Sequence, residues 1–421
     1  LECHDVMCKI GEVVVVGGVR RSAMISLSNM SDDKMRHAKS GAWWDNNPQR
    51  ALANNSVAYT DKPDSLSFMR EWMALVESGS GERGIFNREA SKKQAAKNGR
   101  RDADYEFGTN PCSEIILRPN QFCNLTEIVV RSTDDVTSLA NKVRIATILG
   151  TIQSTYTKFP YLRKIWQKNT EEERLLGVSL TGIMDNPLMT TENEGLDKTL
   201  EHLKSISVAT NAEWAKLLDI PVATAISCVK PSGTVSQLVD SASGIHARHS
   251  PYYIRTVRGD NKDPLTQFMK DQGVPSQPDV MKPDQTTVFS FPMKSPDGAV
   301  VTADMSAIQQ LDMWLAYQRS WCEHKPSVTI NVKNAEWFEV GAFVHKHFDE
   351  MSGVSFLPFN EHTYQQAPYQ DCSRTDYKTL LSCMPKDIDW TLLSNYEKED
   401  NTAGSQTLAC SGDSCEIVDL V

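Results

Sequence analysis

Apolar runs rich in β-branched residues alternate with amphipathic stretches along most of this 421-residue chain. Such alternation indicates an α/β fold, because a helix that joins two strands packs its apolar face on the sheet. It predicts helices near 65–78, 134–157, 195–217, 304–322 and 335–350, with N-caps at Asp64 and around Asp135. It predicts strands at Val13–Val16, Ser22–Leu27, Ile115–Leu117, Leu176–Leu180, Ala223–Val229, Thr287–Phe291, Val328–Val332 and Val354–Leu357. Alternation alone permits either a doubly wound sheet or an eight-stranded barrel.

Length and charge narrow the classes of function. The chain is long enough for a large core, and its formal net charge of −10 argues against a general nucleic-acid-binding protein. No apolar run approaches the roughly 20 residues that span a bilayer, so we expect no membrane segment. The first residues, LECHDVMCKIG, lack the basic and apolar regions of a signal peptide. Because the first residue is Leu, we expect a trimmed, processed or split product.

The chain contains ten cysteines, which are not packed together as in a small secreted disulfide scaffold. This usage predicts a reducing, cytoplasmic compartment, with a few cysteines kept for redox chemistry and the others buried. We expect no metal site, because no set of ligands has the spacing that zinc requires.

One short motif carries the strongest chemical signal. Asn110, Cys112 and Glu114 alternate in the sequence Gly-Thr-Asn-Pro-Cys-Ser-Glu-Ile, and Cys123 follows eleven residues after Cys112. In an extended segment, residues two apart point to the same face, so these three side chains are predicted to converge on one substrate. The alternative interpretation is a buried structural thiol between a turn residue and a solvated carboxylate.

Two further motifs suggest binding and redox roles. Lys230 begins the sequence Lys-Pro-Ser-Gly-Thr-Val-Ser, which follows an apolar strand and is predicted to open a helix as an anion site, although a plain turn is the alternative. Cys410 and Cys415 lie near the chain end, in a stretch without periodicity. We expect residues 1–386 to form the catalytic part and residues 387–421 to form a flexible tail. Half of a zinc site is the alternative for the two cysteines.

On these residues the chain resembles the ribonucleotide reductases, and within them the adenosylcobalamin-dependent class II enzymes of the monomeric, triphosphate-reducing type. The motif around Cys112 and the spaced Cys123 are the most specific features. The resemblance extends through Gly17 to Ala23, Gly81 to Arg88, Gly177 to Asn186, Lys230 to Leu238, Ser243 to Arg258 and Val354 to Tyr369, and ends with Cys410 and Cys415.

The resemblance implies a particular fold. It implies a ten-stranded α/β barrel, made of two five-stranded halves, with a finger loop near 108–125 through its centre. Cys112 would lie at the tip of that loop. The chain would hold only the later part of the barrel.

The resemblance also implies roles for individual residues in reducing ribonucleoside triphosphates to deoxyribonucleotides. Cys112 would carry the thiyl radical, which adenosylcobalamin generates, Glu114 would be the general base, Asn110 would hold the sugar hydroxyls, and Cys123 would be a reducing thiol. A thioredoxin-like partner would reduce the shuttle pair Cys410 and Cys415. The substrate phosphates would be bound by Ser232, Gly233, Thr234 and Ser236.

Other functions stay open at this stage. In the family the second reducing thiol lies upstream of Gly17, and neither Cys3 nor Cys8 matches its context. We therefore expect this chain to be the C-terminal part of the enzyme, with the first half of the barrel absent or on another chain. We expect the chain to be inactive unless that N-terminal half complements it as a partner. A class I catalytic subunit is an alternative, although residues 353–358 lack its adjacent tyrosines. A non-enzymatic half-barrel that binds nucleotide is the other.

Overall fold

The computed structural model describes residues 1–12, 22–280, 282–359 and 365–397. Its helices are α1 (Glu2–Glu12), α2 (Asp33–Arg36), α3 (Trp43–Asn46), α4 (Ser65–Ser78), α5 (Arg88–Ala96), α6 (Val136–Gln153), α7 (Lys164–Glu173), α8 (Leu196–Leu217), α9 (Val235–Leu238), α10 (Pro264–Asp271), α11 (Ala307–Ser320), α12 (Trp337–Lys346) and α13 (Arg374–Cys383). Its strands are β1 (Met24–Ser28), β2 (Ala53–Tyr59), β3 (Gly84–Asn87), β4 (Gly108–Thr109), β5 (Ile116–Leu117), β6 (Asn124–Val129), β7 (Leu176–Thr181), β8 (Ser227–Cys228), β9 (Tyr252–Asp260), β10 (Ser276–Pro278), β11 (Thr286–Lys294), β12 (Thr329–Val332), β13 (Gly353–Pro358) and β14 (Tyr369–Asp371). Short 3-10 helices lie at Pro48–Leu52, Ile183–Asp185, Pro187–Met189, Thr302–Asp304 and Trp390–Asn395.

Eight strands form one continuous arrangement around the centre of the molecule. One sheet has the order β1-β2-β3-β13-β12 and another has the order β6-β7-β8. A parallel bridge between Val229 and Pro326 joins them, so that β12 lies beside β8. Strands β1, β2 and β3 run parallel to one another, and β13 runs antiparallel to β3. The strands from β13 through β12, β8 and β7 to β6 are all parallel to one another. One direction therefore contains five strands and the other contains three.

The arrangement has two open edges, β1 and β6. In the described part of the chain, β1 pairs with β2 alone and β6 pairs with β7 alone. Among the described residues these two strands therefore have the position of sheet edges. Apolar side chains stand exposed near the β6 edge, at Leu125 in β6 and at Ile145 and Leu149 in α6.

The helices that cross between parallel strands begin at the capping residues indicated by the sequence. The Asp64 carboxylate accepts hydrogen bonds from the backbone N–H groups of Leu66 and Ser67 at the start of α4. Asp135 and Ser138 form a reciprocal capping box at the start of α6. Both caps satisfy backbone donors that have no partner within a helix.

The core lies between the joined sheets and the helices that cover them, chiefly α6, α8 and α11. Trp314, Tyr317 and Trp321 are its largest buried side chains. Each directs its polar atom to a backbone oxygen, that of Pro326, Met189 and Cys228 respectively, at 2.8–3.0 Å. These bonds let the aromatic rings be buried without an unpaired donor.

A second, antiparallel sheet projects from the strand arrangement, with the order β10-β11-β9-β14. The sequence predicts a surface excursion over 258–286, and this region contains the end of β9, α10 and β10. Part of the predicted tail is also ordered. The 3-10 helix Trp390–Asn395 packs on α10, where the Trp390 and Phe268 ring centroids are 5.5 Å apart.

The predicted α/β class is confirmed, with mixed sheets and all five predicted helices present within a few residues. The strand predicted at Ala223–Val229 is too long, because β8 contains only Ser227 and Cys228, and Val229 beyond it forms an isolated bridge. The strand predicted at Val13–Val16 lies outside the described residues. Strands β2, β3, β4, β6, β9, β10 and β14 were not predicted. Strand β2 contains the polar run Asn54-Asn55-Ser56, and β3 has only four residues. No described helix is both long enough and apolar enough to cross a membrane.

Candidate active site

Cys112 lies on a short hairpin. Strands β4 and β5 pair antiparallel, with Thr109 opposite Ile116, and residues 110–115 form the loop between them. Ile115 and Ile116 are buried and fix the returning arm of the loop in the interior. Cys112 itself is half-buried. The hairpin therefore presents the sulfur from a rigid base.

Hydrogen bonds within the loop set its shape. The Ser113 N–H donates to the Asn110 carbonyl at 2.9 Å, and the Ile115 N–H donates to Asn110 Oδ1 at 3.0 Å. Ser113 has a left-handed backbone with φ of 65°. The expectation of an extended segment is wrong, because residues 110–113 form a tight turn. The Asn110 amide oxygen is thereby committed to the loop, while Cys112 and Glu114 remain on the same turn.

Glu114 is fully buried, which is unusual for a carboxylate. Its Oε1 lies 3.4 Å from Lys230 Nζ. Its Oε2 has no hydrogen-bond partner among the described residues. A buried, unpaired oxygen is costly and calls for an explanation, and a ligand hydroxyl that donates a hydrogen bond there would supply one.

Cys123 lies just before β6 and packs against β7. A Cβ atom added to Gly177 would lie 3.1 Å from Cys123 Sγ and 2.5 Å from Leu125 Cδ2, so only glycine leaves room for this sulfur. Burial raises the pKa of the Cys123 thiol, and the negative charge of Glu114 raises it further. The sulfur is therefore a protonated thiol at neutral pH, which suits hydrogen-atom and electron donation better than nucleophilic attack.

The predicted phosphate loop follows β8 and leads into the single turn of α9. The Ser232 and Ser236 side chains are buried and bond within the loop, where Ser232 Oγ accepts from the Ser236 N–H at 3.1 Å. Gly233 and Thr234 are exposed, and space is open around Gly233. The loop thus offers an accessible backbone at Gly233 and Thr234, braced from beneath by the two serines.

Two charged side chains lie beside this loop, and neither was assigned a role from the sequence. Lys230 contacts Glu114, as described above, and is only partly exposed. Glu127 lies on β6 beside Ser232 and Lys230, and burial raises its pKa against their opposing effects. Its Oε1 has no hydrogen-bond partner among the described residues. The carboxylates of Glu114 and Glu127 thus share one lysine.

A second feature that sequence reasoning missed is the segment His324–Ser327, here called the anchoring segment. The Ile116 N–H donates to His324 Nδ1 at 3.3 Å, and the Lys325 N–H donates to the Glu114 carbonyl at 3.2 Å. Ser327 Oγ donates to the Cys112 carbonyl. The segment therefore follows the hairpin from its tip to its base. Its signal in the sequence is the charged run Glu323-His324-Lys325 between a helix and a strand, where all three side chains prove to be buried.

His324 has a defined protonation state in this arrangement. Its Nε2 lies 3.0 Å from the Leu176 carbonyl, which only accepts, so Nε2 carries the hydrogen and Nδ1 accepts from Ile116. Burial lowers the pKa of His324 to about 3, and the charges of Arg101 and Lys325 act in the same direction. His246 is similarly engaged, with Nδ1 3.0 Å from the Ser243 carbonyl and Nε2 accepting from the Thr329 N–H. Both histidines therefore have structural roles, because each ring bonds to backbone groups through both of its nitrogens.

A buried ionic cluster fixes the base of the hairpin. Arg101 forms two hydrogen bonds to the Glu173 carboxylate, at 3.0 and 2.8 Å, and Arg118 pairs with the same carboxylate at 3.0 Å. The Arg101 guanidinium also lies 4.8 Å from the centre of the Phe107 ring. Arg101 precedes the hairpin and Arg118 follows it, so one carboxylate on α7 holds both of its ends.

The predicted site residues thus fall into three groups. Asn110, Cys112, Glu114 and Cys123 belong to the hairpin region, where Glu114 interacts electrostatically with the Cys123 thiol. Ser232, Gly233, Thr234 and Ser236 form the adjacent loop, joined to the hairpin by Lys230. The predicted shuttle cysteines, Cys410 and Cys415, lie outside the described residues. In the part of the chain that is described, no group of three or more histidine, cysteine or acidic side chains could hold a metal ion.

Comparison with known proteins finds relatives that are similar to this chain in sequence. No protein-family model matches the chain. The adenosylcobalamin-dependent ribonucleoside-triphosphate reductases of Lactobacillus gasseri and Lactobacillus leichmannii are each 26% identical to it across 99% of its length. The reductase of the same name from Euglena gracilis is 26% identical across 98%. The chain spans only 56–60% of the length of these relatives.

Solved structures agree at the level of the fold. The crystal structure of a B12-dependent, class II ribonucleotide reductase superposes with a TM-score of 0.79 and 22% identity, over 95% of this chain and 58% of the other. The α subunit of the class Id ribonucleotide reductase of Actinobacillus ureae superposes with a TM-score of 0.53 and 12% identity, over 80% of this chain and 70% of the other. The chain therefore has the fold of ribonucleotide reductases, and along nearly its whole length it is similar in sequence to the adenosylcobalamin-dependent ribonucleoside-triphosphate reductases.

Proposed function

We propose that the chain is the larger part of an enzyme that reduces ribonucleoside triphosphates to 2′-deoxyribonucleoside triphosphates by thiyl-radical chemistry. The observation that carries the proposal is the Cys112 hairpin. A half-buried sulfur and a fully buried carboxylate with an unpaired oxygen lie two residues apart on one anchored turn. The names of the relatives that match 99% of the chain support the same chemistry.

The hairpin residues have complementary tasks in this reaction. A thiyl radical at Cys112 takes the 3′-hydrogen atom of the ribose, and Glu114 accepts the proton of the 3′-hydroxyl through its unpaired Oε2. The 2′-hydroxyl leaves as water after it takes a proton from a thiol. Cys123 and a second thiol supply two electrons and two hydrogens and become a disulfide. Cys112 then returns the hydrogen atom to the 3′-carbon of the product, which regenerates the thiyl radical. The raised pKa of Cys123 keeps it in the protonated form that this step requires.

The substrate phosphates bind at the loop after β8. The exposed Gly233 and Thr234 present backbone and hydroxyl donors, and the buried Ser232 and Ser236 hold the loop in shape. Lys230 supplies a positive charge where the loop begins, within reach of Glu114. We therefore assign the phosphates to the Lys230 side of the Glu114 carboxylate and the ribose hydroxyls to its unpaired Oε2.

Adenosylcobalamin is the radical source that the relatives' names specify. When bound, it supplies a carbon-centred radical by homolysis of its cobalt–carbon bond, which makes the thiyl radical. The half-buried position of Cys112 fits this role, because the sulfur can be reached from outside the hairpin. Both ring nitrogens of His246 and of His324 are occupied by backbone hydrogen bonds, so neither histidine is offered to the cobalt.

A closed ten-stranded barrel completes the proposal. Five parallel strands, β13, β12, β8, β7 and β6, make one half, and β1, β2 and β3 make three strands of the other. About 40% of the length of the relatives has no counterpart in this chain, and we assign it to a preceding segment. Two strands from that segment would pair with the open edges of β1 and β6. That segment would bring the second reducing thiol. Residues 1–386 are then the later part of the barrel.

The remaining step is renewal of the reducing thiols. We assign Cys410 and Cys415, in a tail over 387–421, to thiol–disulfide exchange with the site disulfide, and a thioredoxin-like protein to their reduction in the cytoplasm. This division of labour is needed because a buried disulfide is inaccessible to a protein reductant.

Replacing Cys112 by Ser tests the proposal in the protein reconstituted with its preceding segment. We expect deoxynucleotide formation to fall below detection, while CTP binding measured by calorimetry is unchanged. The matched control is Cys383→Ser, which removes an exposed thiol on α13 and leaves both quantities as in the original protein. Reduction of CTP by the Cys112→Ser variant would overturn the proposal.

A further inference from the structure

Lys325 stands apart from the other residues of the anchoring segment, because its charged side chain is entirely buried. A buried ammonium group is expensive unless it is well bonded, so a lysine at such a position needs a compensating role. The proposed chemistry gives it none, since the reaction requires only the hairpin, the phosphate loop and the thiols. Its contacts suggest what it does.

The Lys325 side chain ends at the Cys112 turn. Its Nζ donates to Ser113 Oγ at 2.9 Å and to the Ser352 carbonyl at 3.3 Å, and it lies 4.4 Å from the centre of the Phe86 ring. Ser113 immediately follows Cys112 and has the left-handed backbone that the turn requires. The amine thus ties the turn to β13 and β3.

The surroundings of this amine leave no spare room. A Cβ atom on Gly353 would lie 2.8 Å from Lys325 Nζ and 2.8 Å from Ser113 Oγ, so glycine is required for the two groups to meet. Two further hydrogen bonds join the anchoring segment to the hairpin. The Lys325 N–H donates to the Glu114 carbonyl, and Ser327 Oγ donates to the Cys112 carbonyl. Cys112, Ser113 and Glu114 are each held by this one segment.

We propose that Lys325 is a positioning residue that fixes the Cys112 turn through its hydrogen bond to Ser113. The turn contains an energetically unfavourable left-handed serine, and without an anchor it would sample other conformations. Glu114 lies near enough to interact with the amine electrostatically, which helps to hold a buried cation in place. This inference rests on the proposed function for the importance of Cys112, but the anchoring itself can be measured on the chain alone.

The test follows the rate at which iodoacetamide alkylates Cys112 in the folded 421-residue chain. Peptide mass spectrometry measures this rate against that of the exposed Cys383 in the same sample. Lys325→Met and Ser113→Ala each remove one end of the bond, and the double variant removes both. We expect each single variant to raise the Cys112 rate about tenfold, as loss of a hydrogen bond to a charged group implies. We expect the double variant to be no faster than Lys325→Met, because both changes break one interaction.

Controls separate positioning from general loosening. Val340→Ala opens the core at α12, away from the hairpin, and should destabilise the chain without changing the Cys112 rate. Lys333→Met removes an exposed lysine and should change nothing. An unchanged Cys112 rate in folded Lys325→Met would overturn the proposal, as would fully additive effects. If Lys325→Met does not fold, Ser113→Ala decides by the same criterion. A chain that behaves as expected here but yields no nucleotide reduction after reconstitution would instead contradict the proposed function.

Discussion

Glu114 combines two properties that rarely occur together, complete burial and an unpaired carboxylate oxygen. Lys230 at 3.4 Å from Oε1 offsets part of the cost of burying the charge. Oε2 is left for a partner that the chain itself does not provide. The hydrogen bonds of the carboxylate are therefore incomplete, and a ribose hydroxyl that donates to Oε2 would complete them.

Glu114→Gln tests this reading of the carboxylate. Gln retains the shape of the side chain but is a very poor proton acceptor, so we expect kcat of the reconstituted protein to fall by a factor of about 10² to 10⁴. The Kd for CTP should stay within about threefold, since the proposed phosphate site is the loop after β8. Steady-state kinetics and calorimetry measure the two quantities. Glu106→Gln, at an exposed position before the same hairpin, is the matched control. A variant with full kcat would contradict the assignment of Glu114 as the base.

Lys325 makes the free energy of unfolding depend on pH. Burial lowers the pKa of Lys325 to about 7 from its ordinary 10.5, and the charge of Glu114 opposes this only partly. Between these two values the unfolded chain binds more protons than the folded chain, so this residue makes stability increase as pH rises from about 7. Below pH 7 both states are protonated, and the full cost of burying the ammonium is present.

Urea unfolding of the original chain and of Lys325→Met, at pH 7.0, 7.75 and 8.5, checks this dependence. The difference in unfolding free energy between the two proteins should change by at most about 1.4 kcal/mol per pH unit, in the direction that favours the original chain at higher pH. The buried cysteines make the unfolding free energy fall as pH rises. Because this contribution is the same in both proteins, it cancels in the difference. A difference that is constant over this range would show that the Lys325 pKa is not lowered.

The residues of the Cys112 motif could be named from the sequence because they are neighbours in the chain. Their partners could not, since Lys325 and Lys230 lie 212 and 116 residues from the atoms they contact. A lysine before a strand usually indicates solvent exposure, and only the packing of β12 and β13 around it shows otherwise. The turn at Asn110 was only the alternative interpretation of the sequence, because the alternation of polar residues imitates a strand.

At the scale of elements, β7 determines where Cys123 can lie. Gly177 leaves space for the Cys123 sulfur and for Leu125 of the neighbouring strand β6. The parallel register of β6 and β7, with Leu125 opposite Gly177, therefore depends on the absence of a side chain at that position. The contact links sheet pairing directly to the placement of a proposed reducing thiol.

Gly177→Ala should move Cys123 while most of the fold survives. The new methyl group would meet Leu125 at 2.5 Å and the sulfur at 3.1 Å, so one of them must shift. We expect a loss of about 1–3 kcal/mol in unfolding free energy, and at least a tenfold loss of deoxynucleotide formation in the reconstituted protein. Gly233→Ala, where space is open, should cost little stability. Full activity of Gly177→Ala would show that the position of Cys123 is not critical.

Helices were easier to predict than strands for physical reasons. Each of the five predicted helices has ten or more residues and a recurring apolar face, and α4 and α6 begin at the aspartates that cap them. The missed strands β3 and β4 have only four and two residues, too few for a period of two to be visible. Strand pairing between β3 and β13, far apart in the sequence, depends on the global fold rather than on local pattern.

At the scale of the whole molecule, the decisive feature is the open strand arrangement. Five strands run one way and three the other, and the outer edges of β1 and β6 have no partner among the described residues. The alignment with the Lactobacillus gasseri reductase covers 99% of this chain but only about 59% of that protein. A preceding segment that supplies two strands and a thiol would explain both facts. The sequence resemblance predicted that a part of the barrel would be absent, but only the structure indicates which edges it would fill.

The most direct measurement is deoxynucleotide formation from CTP or ATP with adenosylcobalamin and a dithiol, with and without the preceding segment on a separate chain. We predict product only when both the cofactor and that segment are present. Product from the 421-residue chain alone would contradict the division of the site between two segments. No product under any combination, from folded proteins that also fail to cleave the cobalt–carbon bond, would contradict the reductase function itself.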